Sequence, residues 1–274
     1  MPLAGAEERR SATVWERYQK YLCHDGELGL TLDVSTVPFP DDYLPAMAPK
    51  MAEVFRHMEE LEGGALANPD EGRMVGHYWL RAPELAPAVG IRREIEEALQ
   101  AVRDFARQVH TGVITGQKGR PFINYLLLGI GGSSLGPRLV ADALGGEGDK
   151  LRGYFLDNTD PDGFDRVFAR LKEDLDRTLV IVISKSGSTV ETRNALAETR
   201  WLYRAAGLEL PRHAVSITQR GSRLDRLSRE EGWLASFPMW DWVGGRTSVM
   251  SAVGLLPAAL QGLDIDGFLA GARR

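Results

Sequence analysis

Four hydroxyls cluster at Ser184, Ser186, Ser188 and Thr189, around Gly187 and next to Lys185. They follow the apolar run Leu179-Val180-Ile181-Val182-Ile183 and precede a stretch of good helix formers from Val190 to Leu202. Hydroxyls donate and accept, so such a cluster can hold the oxygens of a phosphate, and a following helix adds free amides and the positive end of its dipole. The bland alternative is a Ser/Thr helix cap and an ordinary turn, but one hydroxyl is enough for a cap. A second group is Gly129-Ile130-Gly131-Gly132-Ser133-Ser134-Leu135-Gly136-Pro137-Arg138, after the apolar residues Leu126 to Leu128. Its glycines let the backbone approach a ligand closely. The third is Trp240-Asp241-Trp242-Val243-Gly244-Gly245-Arg246. Arg246 could hold an anion or stabilise charge that develops during a reaction. The competing reading is a surface arginine paired with Asp241.

Other chemistries find less support. A dinucleotide fingerprint would need glycine where Ser134 stands, although Asp157 falls where a ribose-binding acid could lie, so a nucleotide reading stays open. There is no P-loop run and no nucleophile elbow. His24, His57, His77, His110 and His213 have no metal-ligand spacing, and each reads as structural.

The elements that would position these groups can be read in order. Residues 6–22 predict a helix with Trp15, Tyr18 and Leu22 on one side. Residues 31–40 are extended, and 41–62 form a second helix. Residues 66–90 are irregular, and 92–114 carry a long amphipathic helix. From residue 122 the pattern alternates. Strands are expected at 123–128, 153–157, 179–183, 213–217 and, weakly, 233–236. Helices are expected at 136–144, 162–172, 190–206, 221–230 and 248–261. This predicts an α/β fold with a doubly wound parallel sheet. Ligands of such sheets sit beyond the strands' carboxyl ends near the topological switch point, where the loops after the first and third strands lie.

The composition is ordinary for a soluble globular protein, with 43% hydrophobic and 26% charged residues. A net charge of −5 offers no basic footprint for nucleic acid. No apolar run approaches a membrane span. The one cysteine, Cys23, excludes an intrachain disulfide and suits a reducing, cytoplasmic setting. Met1 to Arg10 does not read as a secretory leader.

Taken together, the three stretches resemble the phosphoglucose isomerase family. Gly129 to Pro137 is similar to its G-I-G-G-S-x-L-G-P loop, Ser184 to Thr192 to its phosphate loop, and Trp240 to Arg246 to its W-D-x-V-G-G-R segment. Arg73 to Arg81 is similar to its R-x-V-x-H-x-x-L-R segment. The resemblance spans roughly residues 66–262. It implies a helical N-terminal region over 1–115 and a first SIS-type (sugar isomerase) α/β domain over 120–262. Residues 263–274 would start a helix leading to an absent second domain.

The implied reaction interconverts glucose 6-phosphate and fructose 6-phosphate through a cis-enediol(ate), with no metal, nucleotide or other cofactor. Carried over by position, Gly132, Ser133, Ser184, Lys185 through its backbone N–H, Ser186 and Thr189 would bind the substrate phosphate. Gly245 and Arg246 would lie at the reacting carbons, and Glu191 would support them. The family's glutamate base comes from a second SIS-type domain, and a histidine and a C-terminal lysine come from beyond this region; neither that domain nor a motif for those residues stands here. The expectation is therefore an N-terminal portion of an enzyme that is a homodimer at full length. Two other readings are a non-catalytic SIS-type sugar-phosphate-binding regulator and a nucleotide-dependent oxidoreductase.

Overall fold

Helix α1 (Ala4–Tyr21) opens the computed structural model, which describes the backbone of residues 4–274 and side-chain surroundings from residue 13 onward. Residues 1–3, part of the stretch read above as unlike a leader, lie outside the described residues. The chain divides into two compact units, residues 1–58 with residue 274, and residues 59–273. In the first, α1 leads into an antiparallel hairpin, β1 (Leu22–Asp25) and β2 (Leu30–Asp33). Arg17 ties the segment after it down, donating to the carbonyls of Ser35 at 2.6 Å and Val37 at 2.7 Å. Trp15 stacks on Tyr18 as the helical spacing predicts, yet it stays 58% exposed. Helix α2 (Tyr43–Glu62) follows and ends just inside the second unit.

The second unit begins with a small antiparallel hairpin, β3 (Leu66–Asn68) and β4 (Arg73–Met74), where the sequence predicts only irregular chain. A short 3₁₀ turn at Pro83–Leu85 leads into α3 (Val89–His110). Then strands and helices alternate: β5 (Asn124–Leu128), α4 (Gly132–Leu144), β6 (Arg152–Leu156), α5 (Pro161–Leu171), β7 (Thr178–Ile183), α6 (Val190–Ala205), β8 (Ala214–Thr218), α7 (Arg223–Glu230), β9 (Ala235–Pro238), α8 (Ala252–Gln261) and α9 (Ile265–Arg273). Side-chain caps set several helix starts. Asp160 accepts from Asp162 N and Gly163 N ahead of α5, and Ser222 and Ser251 do the same ahead of α7 and α8.

The five strands pair in parallel in the order β6-β5-β7-β8-β9. Residues of β5, β7 and β8 are buried throughout, which is why their sequence is a continuous apolar run. Alternate side chains leave on opposite faces. Tyr125, Leu127, Ile181, Ile183 and Val215 pack against Phe105 of α3 and Leu255 of α8. Leu126, Leu128, Val180, Val182 and Ala214 pack against Phe164 of α5, Leu196 of α6 and Leu224 of α7. Helices on both faces make the sheet doubly wound, as predicted. Its strand order places a switch point between β5 and β7, which are neighbours with Leu128 opposite Val182.

One boundary differs in a way that matters. The sequence predicts a helix from residue 136, but α4 starts at Gly132. Pro137 forfeits its own amide bond to the preceding turn, yet the five residues before it, Gly132 to Gly136, still wind. Half of the glycine-rich segment is therefore the N-terminus of a helix.

Candidate functional site

The loop after β7 uses its hydroxyls on itself. Ser184 Oγ lies 3.1 Å from Thr189 Oγ1 and accepts from the Gly187 amide at 3.1 Å. Ser186 Oγ lies 2.7 Å from Ser188 Oγ and accepts from the Ser188 amide at 3.2 Å. Thr189 is the residue at the N-cap of α6 but makes no capping bond. The simple cap reading therefore does not describe this loop. The hydroxyls form two mutually satisfied pairs beside the first-turn amides of a helix, which have no intrahelical acceptor.

Gly187 makes the turn between these pairs possible. Its φ is +68°, and a Cβ there would run into the backbone nitrogen and side chain of Leu224. Gly187→Ala is expected to cost at least about 1 kcal/mol of stability. Thermal unfolding followed by circular dichroism checks this, and an unchanged midpoint would mean that the loop relaxes freely.

The other two loops meet this one. Ser133, Ser184, Lys185, Ser186 and Thr189 line one open depression of about 350 Å³ beyond the carboxyl ends of β5 and β7. Gly132 presses against Gly245 so closely that a Cβ on Gly132 would overlap the Gly245 carbonyl. Ser248 Oγ bridges them, donating toward the Gly245 carbonyl at 2.7 Å and the Gly132 carbonyl at 3.2 Å.

The Lys185 side chain ties the phosphate-loop candidate to the same turn. Its Nζ donates to the carbonyls of Asp241 at 3.0 Å and Val243 at 3.2 Å. Burial, and then the nearby Arg73 guanidinium, hold this ammonium's pKa below its ordinary value. Gly76 N donates to the Trp242 carbonyl at 2.9 Å, and the Trp79 and Trp242 rings pack 5.2 Å apart, so residues 73–81 are fastened to this turn as well.

Arg246 is exposed and forms no hydrogen bond or ion pair with a described residue, so the predicted alternative of a pair with Asp241 is not found. It lies one residue beyond the Gly132–Gly245 contact but outside the depression's lining. Glu191, in the first turn of α6, is half-buried and also outside that lining. Ser134 is fully buried without a hydrogen-bond partner, so Ser133 alone of the pair reaches the depression. His77 packs on Tyr78, with ring centroids 4.0 Å apart, and burial lowers its pKa. Asp157, the ribose-binding acid of the nucleotide reading, is paired with Arg138 at 3.1 Å and accepts from Asn158 Nδ2 at 2.9 Å.

Three lining residues carry no local signal as site residues: Arg73, Thr192 and Gln219. Arg73 stands in a motif quoted above for its resemblance alone. Thr192 is one helical turn beyond Thr189, buried, with its hydroxyl unpartnered. Gln219 follows β8, the strand next to β7, and could be found only once the strand order is known.

Comparison with known proteins agrees with the sequence resemblance. The profile of the phosphoglucose isomerase family matches residues 43–274. A glucose-6-phosphate isomerase of Desulfitobacterium hafniense is 58% identical over 261 residues, covering 95% of this chain and 49% of the relative. One of Geobacter sulfurreducens is 59% identical over 261 residues, with the same two coverages of 95% and 49%. The crystal structure of a glucose-6-phosphate isomerase from Chlamydia trachomatis superposes with a TM-score of 0.78 at 29% identity, over 93% of this chain and 48% of that one. The chain thus spans about half the length of the curated relatives it matches.

Proposed function

This chain belongs to the phosphoglucose isomerase family, and from that premise we propose that its depression binds the phosphate of a hexose 6-phosphate. The carrying observation is that Ser133, Ser184, Ser186 and Thr189, from loops after two adjacent parallel strands, line one depression beside two helix N-termini. Their hydroxyls exchange one another for phosphate oxygens, with the Lys185 backbone N–H and the Gly132 turn completing the cradle. Anchoring the non-reacting phosphate positions the sugar for chemistry at its first two carbons.

The reaction served is the interconversion of glucose 6-phosphate and fructose 6-phosphate through a cis-enediol(ate). Gly245 and Arg246 stand at the reacting carbons. The unpaired Arg246 guanidinium stabilises the enediolate oxygen, and Glu191 supports the site from α6. The full-length protein acts as a cytoplasmic homodimer, and the single, exposed Cys23 is compatible with a reducing compartment.

Calorimetry on the 274-residue chain tests the reading. 6-Phosphogluconate is expected to bind, while gluconate and NAD(H) are not. Binding of NAD(H) with none of 6-phosphogluconate would replace the isomerase reading with the nucleotide one.

A further inference from the structure

A hexose 6-phosphate carries close to two negative charges at neutral pH. Hydroxyls and amides meet such a group with dipoles, but no full positive charge comes from them. Among the described residues, the cationic side chains lining the depression are Lys185 and Arg73. Lys185 keeps its charge, but two of its three ammonium donors are on the carbonyls of Asp241 and Val243, so at most one N–H is left for a ligand. The other cation is Arg73.

Arg73 sits on β4, in the hairpin outside the parallel sheet. Its Nη1 lies 3.0 Å from Glu71 Oε2, and both side chains are about half exposed. An exposed pair of this kind is weak, on the order of 0–1 kcal/mol. A phosphate dianion offers the same guanidinium a charge-assisted, two-point contact, which is stronger. Asn68 holds the pairing partner locally: its Oδ1 accepts from the Glu71 amide at 3.1 Å and its Nδ2 donates to Glu71 Oε2 at 3.4 Å. The chain is also fixed just beyond Arg73, at the Gly76–Trp242 backbone bond. With the backbone held on both sides of Arg73, side-chain rotation is the motion by which the guanidinium would leave Glu71. Behind burial, the guanidinium's charge is a further cause holding the Lys185 ammonium's pKa below its ordinary value.

We infer that Arg73 is the charge reader of the phosphate cradle, held on Glu71 when the depression is empty and transferred to the substrate's phosphate dianion when it is filled. The inference rests on the phosphate-cradle reading. It adds a specificity element: the loop hydroxyls recognise phosphate oxygens, and Arg73 recognises their charge. Glu71 then competes with substrate instead of helping it.

Calorimetry on the 274-residue chain with 6-phosphogluconate, inorganic phosphate and gluconate separates the possibilities. Arg73→Met is expected to weaken 6-phosphogluconate binding by roughly tenfold or more, with Arg73→Lys recovering part of it. Glu71→Gln is expected to tighten binding a few-fold, because it removes both a competitor and a repelling carboxylate. Inorganic phosphate should follow the same order of variants, and gluconate should not bind any of them. A purely structural ion pair predicts the opposite for Glu71→Gln, a loss matching that of Arg73→Met, and that result would overturn the inference. Unchanged affinity in Arg73→Met would also overturn it. The cradle itself would still stand if Ser186→Ala with Thr189→Val abolished binding in parallel. A parent chain that binds neither phosphate ligand would sink both the cradle and the charge reader.

Discussion

Replacing Ser186 by alanine and Thr189 by valine together is expected to weaken 6-phosphogluconate binding by about two to four orders of magnitude. Hydrogen bonds to a charged group contribute about 1.5–3 kcal/mol each, so losing two amounts to about 3–6 kcal/mol. The empty site does not erode this figure much. In it, Thr189 Oγ1 faces Ser184 Oγ at 3.1 Å and Ser186 Oγ faces Ser188 Oγ at 2.7 Å. Binding trades a neutral hydroxyl partner for a charged oxygen, and the charged bond is the stronger of the two. The variant should fold, because Gly187 and Ser184, which shape the loop, are left intact. Calorimetry with a circular dichroism control reads the result. A folded double variant with the parent's affinity would remove these two hydroxyls from the site.

Much of this arrangement is legible in the chain, and the reasons differ from element to element. The strands β5, β7 and β8 are readable because burial on both faces demands an unbroken apolar run, and Leu179 to Ile183 has one. The strand β9 is harder, since it is an edge strand that ends in Pro238 and is only partly buried. The hairpin of β3 and β4 leaves no trace in the sequence. Its strands are three and two residues long and have no buried residue to create an alternation. The hydroxyl loop announces itself through residue type. The strut from Lys185 to the Asp241 and Val243 carbonyls does not, because backbone carbonyls exist at every position and only the fold selects which two are met. The same holds for Gly132 and Gly245. Each looks like a flexible turn residue, but at Gly132 what excludes a side chain is the carbonyl of the other loop.

The 274-residue chain by itself is expected to bind hexose phosphate and yet not to isomerise it at an enzyme-like rate. Moving a proton between neighbouring carbons needs a base within hydrogen-bond reach of the substrate, and such a group alone contributes about 10²–10⁴-fold. Among the described residues lining the depression there is no carboxylate and no imidazole. Glu191 is the nearest acid in sequence, but its place in the first turn of α6 is outside that lining. The depression is also open, so water would screen the Arg246 charge that stabilises an enediolate. A coupled isomerase assay on the purified chain measures this directly. The assay is then repeated with a polypeptide corresponding to the half of the Geobacter sulfurreducens relative that this chain does not cover. Turnover that returns on mixing supports the isomerase reading, with the base supplied from that half. Binding without turnover under either condition favours a sugar-phosphate-binding regulator. Robust turnover by the chain alone, lost in Glu191→Gln, would make Glu191 the base and would require the loop after β7 to bring it over the sugar when substrate binds.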